Sequence, residues 1–344
     1  MEARVIPIDD AVGMVIPHDL TEIILDLKKG PAFRKGHVIR PEDISHLKRI
    51  GKERIYVLTL GEDELHEDDA ALLMARAIAG PNIIYDERPT EGKVGFRAAC
   101  DGLFRVDVER LAAFNRLGEV MLATRHTHIA VKAGEHLAGE RAIPLVVPRA
   151  IVDQAVEIAS RDGGLIAVEP WRIRTGAVVI TGREVFEGRV QDAFGPIMRK
   201  KLKAFGLEVI STVIVPDDRE TIARAVRDAM AKGAGIILCT GGMSVDPDDV
   251  TRLAIADAGA KDVVYGSPVL PGAMFLAGYL PGDIPVLGVP ACGMYYRTTV
   301  LDLVLPRVLA GERMDREKIA ALGHGGLCLS CPSCTYPVCP FGKG

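Results

Sequence analysis

The chain predicts an α/β fold: a doubly wound, mostly parallel sheet preceded by smaller mixed α/β and β-containing regions and followed by a cysteine-rich tail. Three observations carry this. From Thr175 onward, short apolar runs (AVVITG, VISTVIV, GIILC) alternate with segments of helical period, the pattern of strands joined by crossover helices. At 344 residues the chain exceeds the size at which one core keeps growing. Four of its seven cysteines fall after Leu327.

In chain order, residues 1–65 form a small mixed module. Pro41 opens a helix at its first position, Gly51 ends it, and IYVLTL (Ile55 to Leu60) follows as a strand. Glu67 to Ala79 is a helix with Ala70, Leu73, Met74, Ala77 and Ile78 on one face and Gly80-Pro81 as the stop. Residues 66–172 make an irregular β-containing domain, with HIAVKAG and AIPLVV as short strands and a helix near Val152 to Ser160. Residues 173–312 carry the doubly wound sheet. Its helices are Asp192 to Phe205 (Phe194, Ile197, Met198, Leu202 and Phe205 inward) and Arg219 to Lys232 (Ile222, Val226, Ala229 and Met230 inward). PVLGVP and a helix from Met294 to Leu309 continue it. Residues 313–344 read as a charged hinge, GERMDREK at its start, and the cysteine-rich tail.

The composition, 48% hydrophobic and 26% charged, is that of a folded globular chain. A formal net charge of −4 offers no attraction to nucleic acid. No run approaches the roughly 18 apolar residues that span a membrane, and MEARVIPIDDAVG lacks the pattern of a signal peptide. A cytoplasmic location is expected, where a disulfide framework is not.

The stretch Gly235 to Gly259 holds the densest chemistry. A buried strand stops at Gly241-Gly242, followed by Asp246, Asp248 and Asp249 and a helix with Val250, Leu253, Ala254, Asp257 and Ala258 on one side. Strand, glycine turn and helix N-terminus make an anion site, because glycines admit the backbone and the first N–H groups are free. Carboxylates beside an anion imply either a bridging cation or acids that act on the ligand. The bland alternative is that the aspartates cap the helix. Ligands of such sheets bind beyond the carboxyl ends of the strands, so Thr181-Gly182 and Thr240-Gly241-Gly242 share one rim.

TGGMSVDPDD, TGREVFEGRVQD (Thr181 to Asp192), GSPVLPG and GVPACG together resemble the molybdenum-cofactor biosynthesis domain of molybdopterin-binding proteins, over Val178 to Leu309. GHVIRPEDISHLKRIGKERIYVL also resembles the leading segment of molybdotransferases. The resemblance implies the molybdopterin-binding fold. It implies that Asp249, Asp248 and Glu184 are catalytic, and that Thr181, Gly182, Asp192, Thr240, Gly241, Gly242, Ser244, Asp246, Pro271, Gly272 and Pro290 bind the cofactor. Gly241, Gly242 and Ser244 would meet the terminal phosphate, and Asp249 and Glu184 the pterin N–H groups or a Mg²⁺ ion. Implied partners are molybdopterin or its adenylylated form, molybdate or tungstate, and further copies of the chain. The molybdotransferase pattern has lysine where this chain has Ala273, and P-G-N-P where it has PACG. Two activities are therefore open: metal insertion into the pterin, or carriage and sensing of the cofactor. The same motifs are similar to the nucleotide pyrophosphatase domain of the competence-damage protein family, whose clustered acids hold a metal for phosphoanhydride hydrolysis.

Cys328, Cys331, Cys334 and Cys339 have the spacing C-x2-C-x2-C-x4-C with Pro340 after the last. Three thiols at two-residue gaps suit an iron–sulfur cluster, as in bacterial ferredoxins. Zn²⁺ and an unliganded tail are the other readings. The tail is a place for a molybdoenzyme or a redox partner to dock. His126 and His128 read as a strand pair facing one side, with no third ligand. His66-Glu67-Asp68-Asp69 suits a helix start. Arg199, Lys200, Lys201 and Lys203 read as a solvated face, Cys100, Cys239 and Cys292 as small buried residues, and Trp171 as packing at the domain boundary.

Overall fold

A computed structural model describes residues 4–24, 28–57, 61–244, 246 and 249–344. It divides into two compact units. No helix among the described residues is long and apolar enough to cross a membrane.

The first unit comprises Met1–Cys100, Arg105–Thr127 and Lys132–Val168. At its start Arg4–Pro7 pairs antiparallel with Arg54–Val57, and helix Asp43–Arg49 helps to close a small core with Ile8, Ile16, Ile39 and Leu47. The predicted strand's last residues, 58–60, lie outside the described residues. The largest sheet of the unit among the described residues is four-stranded and antiparallel, in the order Ile83–Tyr85, Lys93–Ala98, His136–Ala142, Val120–Thr124. Helix Glu67–Ile78 packs on it and on helix Arg149–Ser160. His66 caps the first helix, its Nδ1 accepting the Asp68 N–H at 3.1 Å. Two neighbours require two apolar stripes. Ala71 and Ala75 are therefore buried along with Ala70, Met74 and Ile78, whereas Leu73, expected inward, is exposed. His126 and His128 occupy the loop before Ile129–Val131 and not a strand face; His128 has a left-handed φ of +63°.

The second unit comprises Asp101–Phe104, His128–Val131 and Glu169–Gly344. Its six-stranded sheet is built from β1 (Thr175–Thr181), β2 (Glu208–Val215), β3 (Ile236–Thr240), β4 (Lys261–Tyr265), β5 (Leu276–Leu280) and β6 (Ile284–Val289). The order is β2-β1-β3-β6-β5-β4. The first four strands in that order are parallel, with Val178 opposite Thr212 and Leu238, and Leu238 opposite Leu287. β5 and β4 close the other edge antiparallel, which the sequence reading did not foresee. Successive residues of a strand face opposite sides. Val178, Ile180, Ile236 and Leu238 enter one core, with α2 (Phe194–Ala204) and α5 (Val300–Leu309); Ala177, Val179, Ile237 and Cys239 enter the other, with α3 (Arg219–Ala231) and α4 (Thr251–Asp257). A sheet covered on both faces explains why its strands read as unbroken apolar runs. The remaining helices are α1 (Arg183–Phe186) and α6 (Arg316–Ala321).

Local chemistry sets the helix ends. α5 starts at a capping box, with Thr299 and Asp302 satisfying each other's backbone N–H groups, six residues later than the expected Met294. Ala291–Met294 forms a separate 3₁₀ turn. Lys201 does not lie on a solvated face: its ammonium reaches the Asp302 carboxylate and, at 3.1 Å, the Arg297 carbonyl. Trp171 is buried and meets Phe205 edge-on at 5.2 Å between ring centroids. After α5, Arg313 pairs with Asp262 at 2.7 Å and Asp283 at 2.6 Å and lies over the Tyr279 ring, while Met314 is buried.

Candidate functional site

β1 and β3 end side by side, with Ile180 opposite Thr240, and the chain turns back at their carboxyl ends. Gly241 and Gly242 have φ of +86° and +57°, a region glycine enters freely. Their need is also steric. A Cβ on Gly241 would collide with the Thr181 carbonyl and hydroxyl, and one on Gly242 with the Thr251 hydroxyl. Thr181 and Thr251 are both buried, with their hydroxyls 3.1 Å apart. The glycine turn is thus clamped onto β1 and the start of α4.

Three segments distant in sequence meet over this rim around a cavity of about 500 Å³. Gly241 to Ser244 and Asp249 form one wall, residues 270–274 the second and residues 290–292 the third. The first wall is tied to β4 by the Tyr265 hydroxyl, which donates to the Met243 carbonyl at 2.7 Å. The Met243 side chain is buried against Gly288, where a Cβ would collide with it. The second wall is held by Ser267, whose hydroxyl donates to the Gly272 carbonyl at 3.2 Å, and by Val300 N–H, which donates to Pro271 at 3.1 Å. Gly272, at φ +137°, packs so closely on Val300 that a Cβ would overlap it.

The site's electrostatics are simple. Among the described residues, Asp249 is the one charged side chain that lines the cavity, and no lysine or arginine does; Ala273 occupies the lysine position of the molybdotransferase pattern. Thr240, fully buried beside the glycine turn, has a hydroxyl with no hydrogen-bond partner among the described residues. Burial pushes the Cys239 thiol up to about 12 and raises that of Cys292, so neither offers a thiolate at neutral pH. Cys239 is buried as expected, but Cys100 and Cys292 are only half-buried.

Gly241, Gly242, Ser244, Asp249, Pro271, Gly272 and Pro290 line the cavity. Thr181 lies behind it through Thr251. The other expected residues that are described stand apart from its walls. Asp192 accepts the Gly195 N–H at 2.8 Å and so starts α2. Glu184 is exposed on α1, and Gly182 turns beside it. Asp246 is exposed, its carbonyl accepting the Asp249 N–H at 3.0 Å. Asp248 lies outside the described residues. The helix-capping alternative fails for Asp249: α4 begins at Thr251 after Val250, has no side-chain cap and no acid in its first turn. The buried stripe of α4 is Thr251, Ala254, Ile255 and Ala258, whereas Leu253 and Asp257, expected inward, face outward, Asp257 pairing with Arg219. Met243, Leu270 and Met274 are wall residues that the motifs do not single out, their one sequence signal being a position just after a strand or within a Pro-Gly loop. Cys292, by contrast, stands in a loop that the sequence marks as a candidate for binding.

Among the described residues no group of three or more His, Cys, Asp or Glu is arranged to hold a metal ion. Cys328, Cys331, Cys334 and Cys339, for which the sequence leaves an iron–sulfur cluster, Zn²⁺ and an unliganded tail open, form no such group. They are spread around a second cavity, of about 210 Å³. The chain is stretched between two anchors: Leu327 bridges to Leu270, and Phe341 is buried in the core of the unit.

Comparison with known proteins bears on both parts of the chain. Residues 177–310 match a family described as "Probable molybdopterin binding domain", and residues 5–59 one described as a domain of unknown function, DUF8806. A protein of Pyrobaculum calidifontis is 41% identical over 91 residues, 26% of this chain and 34% of that one. A CinA-like protein of Thermosipho melanesiensis is 29% identical over 93 residues, 27% of this chain and 23% of that one. The chain thus spans about a third or less of the length of these curated relatives. Among solved structures, the tungsten cofactor synthesizing protein MoaB of Pyrococcus furiosus is similar at 18% identity and a TM-score of 0.33, covering 42% of this chain and 99% of that one. CinA of Thermoplasma acidophilum is similar at 17% identity and a TM-score of 0.33, covering 35% of this chain and 90% of that one.

Proposed function

We propose that this chain, whose residues 177–310 belong to the probable molybdopterin binding family, binds molybdopterin or its adenylylated form in the cavity beyond β1, β3 and β6. The observation that carries this reading is the meeting of residues 241–249, 270–274 and 290–292 around one space of about 500 Å³, a size suited to a small organic ligand. The backbone of Gly241 and Gly242 and the Ser244 hydroxyl suit a phosphate. The apolar Leu270 and Met274 suit the flat pterin.

An anion in a cavity whose described lining offers one carboxylate and no cation is repelled unless a cation stands between them. Mg²⁺ fits this donor set, since it favours one or two carboxylates together with substrate phosphate oxygens. Asp249 would hold it, and the ion would supply the charge that the absent lysine at Ala273 does not. The reading therefore places the chain in molybdenum or tungsten cofactor biosynthesis, with metal insertion as its finer form and cofactor carriage as the form without turnover.

Calorimetric titration with molybdopterin tests it. Binding is expected to need Mg²⁺ and to weaken at least tenfold in Asp249→Ala at unchanged melting temperature. Equal binding with and without Mg²⁺, or by the variant, overturns the assignment of Asp249. Molybdate-dependent conversion of adenylylated pterin separates insertion from carriage. The CinA-like relative favours a second reading, hydrolysis of a nucleotide pyrophosphate at the same cavity. Turnover of ADP-ribose with Mg²⁺ or Co²⁺ would support it over the pterin.

A further inference from the structure

The tail beyond Leu322 is built into the second unit, not appended to it. The Leu270 N–H donates to the Gly326 carbonyl at 2.9 Å, and the Cys328 N–H to the Leu270 carbonyl at 2.8 Å. Phe341 is 3% exposed, and Tyr336 packs beside it and donates to the Asp302 carbonyl at 3.1 Å. Gly342 closes the loop by donating to Gly325 at 2.9 Å. Within this frame all four tail cysteines line the cavity of about 210 Å³, all are free thiols, and Cys331 is exposed.

A single zinc ion needs its thiolates within about 2.3 Å of one point. Among the described residues no group of three or more His, Cys, Asp or Glu meets that demand. A polynuclear cluster makes a different demand, because it holds its thiolates apart by its own width and fills the space between them. Four thiols around a cavity whose other walls include Leu329, Tyr336 and Phe341 meet that demand. The sequence agrees, with C-x2-C-x2-C, a fourth cysteine after four further residues, and proline after it. We infer that Cys328, Cys331, Cys334 and Cys339 bind an iron–sulfur cluster in this cavity. Each thiol gives its proton to solvent and its sulfur electron pair to one iron; no other protein group changes. The site is independent of the pterin reading, although the strand-like pairing of Leu270 with Leu327 links a wall of each cavity.

The test is anaerobic reconstitution of the full chain with ferric iron, sulfide and excess small thiol, the thiol supplying the electrons that reduce part of the iron. Expected are bound iron and acid-labile sulfide in equal amounts and a broad visible charge-transfer band, all lost in Cys331→Ser and retained in Cys100→Ala. Cys331 is exposed, so its variant should fold, and an unchanged far-ultraviolet melt checks this. Failure to retain iron, a cluster that survives in Cys331→Ser, or stoichiometric zinc bound in preference to iron would each overturn the inference.

Discussion

At the scale of single residues, Gly241 and Asp249 carry the site in different ways. Gly241 combines a left-handed backbone with direct packing on Thr181. Gly241→Ala is expected to cost about 1–3 kcal/mol from backbone strain, before the steric overlap is counted. Denaturant unfolding measures it, and a loss below a few tenths would show that the turn relaxes. Asp249 makes no cap and faces the cavity, so its loss should be read in binding and not in stability. The glycines and Asp249 were legible from TGGMSVDPDD, since few other sequences suit a tight turn at a strand end. Thr251 was not. A threonine within a helical stripe looks like a surface residue, and only its hydroxyl partner, 70 positions earlier, allows it to be buried.

At the scale of elements, helix boundaries followed caps more than apolar period. Thr299 and Asp302 stop α5 from extending to Met294. Thr299→Ala is expected to cost about 1 kcal/mol, read as a lower unfolding midpoint, because it leaves first-turn N–H groups of a buried helix unpaired. Phe194 to Ala204 and Arg219 to Ala231 matched their predicted stripes because each packs one face on the sheet. α4 did not. The expected stripe Val250, Leu253, Ala254, Asp257 and Ala258 and the true stripe Thr251, Ala254, Ile255 and Ala258 share Ala254 and Ala258 and otherwise differ by a small rotation, and in a seven-residue helix both fit the period. Leu73 failed for a related reason, since a helix with two neighbours buries alanines that a single-stripe reading leaves outside. β4 and β5 were missed because glycine, lysine and aspartate interrupt their apolar pattern.

At the scale of the molecule, the two units differ in what their interiors hold. The sheet unit buries apolar runs, whereas the first unit buries Glu140 at 1% exposure with neither carboxylate oxygen partnered among the described residues. Desolvation pushes Glu140 up to about 9, and burial pushes Glu67 up to about 7. Both rise above the unfolded value near 4.5, so their proton is held more tightly when folded. Stability from this source is full below that pH and is lost as pH rises toward 9, with a limiting slope of about 1.4 kcal/mol per pH unit for Glu140. Unfolding of the first unit followed from pH 5 to 9 should show this decline, and Glu140→Gln should flatten it. A wild-type profile with no decline would mean that the carboxylate finds a partner when ionised.

The amino-acid sequence alone determined that a doubly wound parallel domain begins near Thr175, because strands buried on both faces must read as apolar runs and helices covering them as amphipathic ones. It also determined which loops lie beyond the strand ends, because the alternation of strand and helix leaves them no other place. Only the tertiary structure decided which of those loops share a cavity. Glu184, Asp192 and Asp246 come from loops at the same rim as Asp249, yet they stay outside its walls: Asp192 turns to the Gly195 N–H, and Glu184 and Asp246 are exposed. The tail shows the same division. Its spacing announced four thiols, but the Leu270–Leu327 pairing and the burial of Phe341 set them around a space instead of a point, since local spacing constrains neighbours and only packing positions the ends.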